Sequence, residues 1–133
     1  MITEDYVGFE TAKLLKEKGF DEDIDLWYDE NGEMFSRHKY DISSDWRVKA
    51  QQKVYLSPTL QMAMKWLRET HNYDISICLD SYVEPFRNDY YIVIRRRKDK
   101  YENISPCDQI YFKTYEEACE AAIKYCLENL IEI

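Results

Sequence analysis

Apolar positions at Phe9, Ala12, Leu14 and Leu15, interleaved with Lys13, Lys16 and Lys18, predict an amphipathic helix over residues 8–18. Gly19 is its expected left-handed stop, and Phe20 then stands where a Schellman ending brings an apolar side chain back onto Leu15. The three lysines lie toward the negative end of the helix dipole. Residues 26–30 and 33–37 flank Asn31-Gly32. That dipeptide predicts a hairpin with a two-residue loop, because both positions tolerate positive φ, and it would set Glu30 opposite Glu33. Residues 38–52 carry no readable period; Asp41 to Asp45 are expected to be loop, and Lys53 to Leu56 a short strand.

A second helix is predicted with Ser57 as N-cap and Pro58 at the first helical position, where its missing N–H does no harm. Leu60, Ala63, Met64 and Leu67 form its apolar face, Trp66 widens that face, and Asn72 ends it. The next stretch alternates. Tyr73, Ile75, Ile77 and Leu79 face one way and Asp74, Ser76, Cys78 and Asp80 the other, as in a half-buried antiparallel strand. Tyr90 to Arg95 is rich in β-formers on both faces and is placed centrally in a sheet. A charged turn from Arg96 to Asn103 and a third strand at Gln109 to Phe112 complete a meander. The last helix opens on a capping box, Thr114 with Glu117, and Glu116 and Glu120 suit its positive end. Ala118, Cys119, Ala122, Ile123, Cys126 and Leu130 make a stripe of mostly small residues that lets it lie close on a sheet. The expected fold is α+β: an antiparallel hairpin plus a three-strand meander, helices packed mainly on one face, in the order α-β-β-α-β-β-β-α. Pattern alone leaves open whether the hairpin and the meander share a sheet.

Length and composition narrow the classes. A chain of 133 residues suits one domain, residues 1–133, and 45% hydrophobic with 15% aromatic residues is too apolar for a disordered chain. The net charge of −8 disfavours a general nucleic-acid coat or a binder of anionic membranes. The start, Met1-Ile2-Thr3-Glu4-Asp5-Tyr6, has neither the basic nor the apolar segment of a secretory signal. No apolar run approaches the ~18 residues of a membrane span, so no membrane partner and a cytoplasmic location are expected. Cys78, Cys107, Cys119 and Cys126 include no C-x-x-C pair and are read as small apolar side chains; Cys119 and Cys126, seven apart, share a helix face.

Most recognisable chemistry is missing. With glycine only at positions 8, 19 and 32, no glycine-rich phosphate loop can be written. His38 and His71 cannot form H-E-x-x-H and are expected at the surface, His71 gaining from its place in a last helical turn. Cys78 with His71 lacks an orienting third residue. Acidic runs such as Asp21-Glu22-Asp23 read as solvated loop. We therefore assign no catalytic residue, no metal ligand and no cofactor from the sequence.

Two features stand out. Residues 95–113 hold six basic and three acidic side chains in an otherwise acidic chain, centred on Arg95, Arg96, Arg97, Lys98 and Lys100. Beside Tyr90, Tyr91 and Tyr101, these would grip phosphates or an acidic partner; the plainer reading is a charged hairpin that protects a sheet edge. The second feature is tyrosine. Twelve are too many for the core of so small a domain, and tyrosine suits interfaces, so a homodimer is expected.

The segments Phe9 to Glu22 and Pro58 to Glu69, with the tail Tyr115 to Ala122, resemble a family of short uncharacterised proteins of gut Bacteroidales genomes, phages and mobile elements. The resemblance covers three helical segments, roughly a third of the chain. It implies a bacterial or phage cytoplasmic origin and carries over no catalytic residue. The expected function is a small non-catalytic binding protein acting on a protein partner or on itself. A nucleic-acid module in residues 57–131, with double-stranded-RNA-binding order, is an alternative opposed by the acidic start of the last helix. An acidic decoy of a host enzyme, or an enzyme using scattered carboxylates, are the others.

Overall fold

The computed structural model describes residues 2–36, 54–80, 89–97, 101–105 and 110–131. The first helix, α1, spans Phe9–Glu17 and buries Thr11, Ala12 and Leu15. It ends as predicted. Gly19 has φ +95°, its N–H donates to Lys16, and the Phe20 N–H reaches back to the Leu15 carbonyl at 2.9 Å. Lys16 is less wet than its spacing suggested. Its Nζ donates to the Val54 carbonyl at 3.1 Å and lies 5.0 Å from the Tyr55 ring centre, and burial lowers its pKa.

Strands β1 (Leu26–Tyr28) and β2 (Met34–Ser36) form the expected hairpin with a different turn. Tyr28 pairs with Met34, and the Asp29 N–H donates to Glu33, so three residues rather than two lie between the paired ends. The Asp29 carboxylate explains the difference: it accepts the N–H groups of Asn31 and Glu33 at 2.8 and 2.9 Å and organises a turn closed by Gly32 at φ +82°. Only glycine then needs positive φ, and Glu33 stands opposite Asp29, not Glu30. Strand β3, Tyr55–Leu56, adds to the other side of β1, giving the order β2-β1-β3. The predicted loop at Asp41 to Asp45 lies outside the described residues.

The second helix, α2, runs Leu60–His71 and is capped by Thr59, whose Oγ1 accepts from the Met62 N–H at 3.1 Å. Ser57 and Pro58 are therefore not its cap and first turn. They are drawn into an extended contact with the N-terminal segment: the Val7 N–H donates to Pro58, and the buried Ser57 hydroxyl donates to Val7. The helix buries the five residues predicted, Leu60, Ala63, Met64, Trp66 and Leu67, and turns at Asn72 with φ 63°.

Strands β4 (Tyr73–Asp80), β5 (Asp89–Arg97) and β6 (Tyr101–Asn103) form a second antiparallel sheet with β5 in the centre. The sequence pattern placed the third strand too late. The charged stretch itself supplies the end of β5 and all of β6, while Phe112 makes only a two-bond bridge to Tyr90. Ser105 closes the ladder with its side chain, accepting the Ile94 N–H at 2.8 Å.

The last helix, α3, spans Tyr115–Tyr125 behind the predicted Thr114 cap, and continues through Cys126–Leu130 as a wider turn with i→i+5 bonding. The wide turn rotates the stripe, so that Leu127 is fully buried and Leu130 only partly. Helix α3 lies on β5 and β4, with α2 beside it and α1 between it and β3. The result is α+β in the order expected, with the hairpin and the meander in two separate sheets around one core. That core includes Val7, Leu15, Leu67, Ile94, Ile123 and Leu127.

Candidate interaction surface

The register of β4 on β5 sorts the meander into two faces. Tyr73, Ile75 and Ile77, with Ile92 and Ile94 opposite, turn inward to the helices and join the core. Asp74, Ser76, Cys78 and Asp80, with Tyr91, Val93, Arg95 and Arg97, turn outward. Ser76, Arg95 and Arg97 are exposed there, and the described helices pack on the opposite face. Tyr111, 37% exposed, sets its ring 6.3 Å from that of Tyr91. Hydrogen bonding and charge at Cys78, ahead of burial and of the Asp80 carboxylate, raise the Tyr91 hydroxyl above its ordinary pKa.

The basic-aromatic patch expected from sequence is divided by this geometry. Arg95 and Arg97 reach the outer face, but Arg96 points to the inner one, 5.6 Å from the Tyr73 ring centre and 3.9 Å from Glu102. Arg97 lies 3.4 Å from Asp74. The arginines sit within β5 rather than at a hairpin tip, and two of the three already face a carboxylate. Tyr90 turns inward, edge-on to Tyr115, while Tyr91 turns outward. Tyr101 pairs through its backbone with Arg97. Lys98 and Lys100 lie outside the described residues. Pattern could not separate these residues because one-residue alternation is invisible in a run of three like charges.

The sequence reading missed the edge of the sheet. The Ile94 N–H and C=O bond to Ser105 and Ile104, just past β6, as those of Tyr90 bond to Phe112, while the Arg97 N–H points to Asn72. Odd residues of β5 therefore bond to β4, through Asp74, Ser76, Cys78 and Asp80. The backbone groups of Ile75, Ile77 and Leu79 point the other way, to an edge on which no described strand pairs. This edge is eight residues long and carries neither Lys nor Pro, which often guard such edges; its charges are Asp74 and Asp80 near its two ends, and Leu79 is 49% exposed on it. The missing lysine and proline are readable in the sequence; the strand's place at an edge is not.

Other candidates read differently in three dimensions. His71 is not a surface charge. Its ring lies edge-on to Trp66 with centres 4.8 Å apart and near-parallel to Tyr73, its Nε2 is buried without a hydrogen-bond partner, and burial lowers its pKa. Burial also pushes the Cys119 thiol up to about 11 and that of Cys126 to about 12. An open depression of about 240 Å³ near the N-terminal segment is lined by Glu4, Asp5, Gln61, Tyr115 and Glu116. Among the described residues no group of three or more His, Cys, Asp and Glu could hold a metal ion, and no helix is long and apolar enough to cross a membrane. No family model, curated protein or solved structure matches the chain.

Proposed function

We infer that the protein is a small non-catalytic interaction protein whose first partner is a second copy of itself. The observation that carries this reading is the outer side of the meander: a face with Tyr91, Val93, Arg95 and Tyr111 on which no described helix packs, bounded by a β4 edge with which no described strand pairs. Aromatic and arginine side chains supply most of the binding energy at protein interfaces. The raised thiol pKa values of Cys119 and Cys126 also fit a structural role, since a nucleophilic cysteine needs the thiolate. Sedimentation of the full chain over a hundredfold concentration range tests the reading. The expected result is a shift from one to two chains per particle; a single-chain mass throughout refutes self-association.

The order α2-β4-β5-β6-α3, with both helices on one face, keeps a nucleic-acid module as the second reading. Against it stand Glu116, Glu117 and Glu120 at the start of α3, where a phosphate-gripping helix needs positive charge, and the carboxylates beside Arg96 and Arg97. Retardation of a duplex RNA in a low-salt gel would favour this second reading over the first.

A further inference from the structure

Resting on the self-association reading, we propose that two copies join edge to edge through antiparallel β4 strands, with Ser76 facing Ser76 of the second copy across the two-fold axis. The β4 edge presents its hydrogen-bonding groups at alternate residues, Tyr73, Ile75, Ile77 and Leu79, whose side chains all lie on the helix-covered face. A second β4 laid antiparallel meets the same pattern, so helices stay with helices and the two outer faces become one. The other sheet edges are shorter. Strands β2, β3 and β6 have two or three residues, and β6 carries Glu102. Only β4 among the described strands is long enough to build a stable ladder at an edge.

Charge and coverage select the register. With the axis at Ser76, Ile75 bonds to Ile77 of the second copy, and Tyr73 to Leu79, so all four outward-pointing residues are used. The half-exposed Leu79 is then covered. On the outer face Asp74 meets Cys78, and neutral Ser76 meets itself. A shift that centres the axis on Ile77 sets Asp74 directly against Asp80 twice and pairs Tyr73 with a residue beyond β4. A further shift to Cys78 takes Ile75 out of the ladder as well. The Ser76 register joins two three-residue sets of Tyr91, Val93 and Arg95 into a single outer face.

Disulfide trapping tests the register. At a non-hydrogen-bonded antiparallel pair the Cα atoms lie about 4.5 Å apart, within disulfide reach. Ser76→Cys, in a chain with Cys78→Ser and Cys107→Ser, is expected to form a covalent dimer on mild oxidation. A chain with only Cys107→Ser keeps the native Cys78, which in this register lies four residues from its counterpart, about 13 Å, and is expected to stay uncrosslinked. Leu79→Pro removes an N–H that β5 does not use, and is expected to give a folded monomer. Should that variant lose its circular dichroism spectrum, Ser76→Lys replaces it, since Ser76 is exposed and two ammonium groups would meet at the axis; the dimer dissociation constant should then rise at least about tenfold. A dimer that resists Ser76→Cys trapping, or one trapped through Cys78, overturns the β4 register and leaves self-association standing. A chain that is monomeric at every concentration overturns both, and leaves the edge to a foreign strand.

Discussion

At the scale of single residues, two side chains hold more of the structure than their type suggests. Gly8 begins α1 without a side chain to cap it. Glu120, from α3, supplies the cap instead: one oxygen accepts the Gly8 N–H at 2.8 Å and the buried Thr11 hydroxyl at 2.6 Å. A Cβ on residue 8 would stand 3.2 Å from that oxygen, so the glycine leaves room for it. Glu120→Ala should lower stability by about 1–2 kcal/mol in urea unfolding, and Glu120→Gln by less, because an amide oxygen still accepts. His71 predicts a pH dependence. Burial lowers its folded pKa below the ordinary 6.5, so the unfolded chain takes up the proton first as the solution is acidified. Its contribution is whole above pH 6.5 and is lost as pH falls through the folded pKa. Denaturation midpoints should fall from pH 7 to pH 5, and by less in His71→Phe, where the ring stays and the proton does not. An equal fall in both proteins would assign the effect to carboxylates.

At the scale of elements, the wide turn Cys126–Leu130 decides which leucine belongs to the core. Inserting i→i+5 bonding advances the helix phase, and it brings the Leu130 carbonyl to the Tyr73 hydroxyl at 2.8 Å. Leu127→Ala should therefore cost about 2–5 kcal/mol, and Leu130→Ala distinctly less, when thermal melts are compared. A regular α-helix through this segment would reverse that ranking. The hairpin turn follows the same logic. The Asn31-Gly32 pair marks where the chain reverses, but the Asp29 carboxylate chooses the three-residue form by satisfying two N–H groups at once.

At the scale of the whole molecule, α3 is the common wall of the structure. It lies on the meander, beside α2 and against α1, and its thiols are sealed where these meet. Cys119 and Cys126 should resist alkylation in the native protein at pH 8 and react together on unfolding, while the half-buried Cys78 reacts first. Mass spectrometry of partly alkylated protein checks the order. Early labelling of Cys126 would mean that the end of α3 opens apart from the rest.

What the chain's own pattern determined is local. Helix faces at Leu60 to Leu67 and Ala118 to Ile123, the Schellman ending at Gly19, the Thr114 cap and the alternation of β4 all depend on neighbours within a few residues, and these are present in sequence. The tertiary structure decided everything that depends on distant partners. It parted Arg95 from Arg96, moved the third strand into the charged segment, made Ser57 part of an extended contact, set the half-buried His71 ring against Trp66, and left one side of β4 without a partner among the described strands. The physical reason is that a strand's neighbours, and the side from which its backbone remains open, are set by hydrogen bonds between residues far apart along the chain.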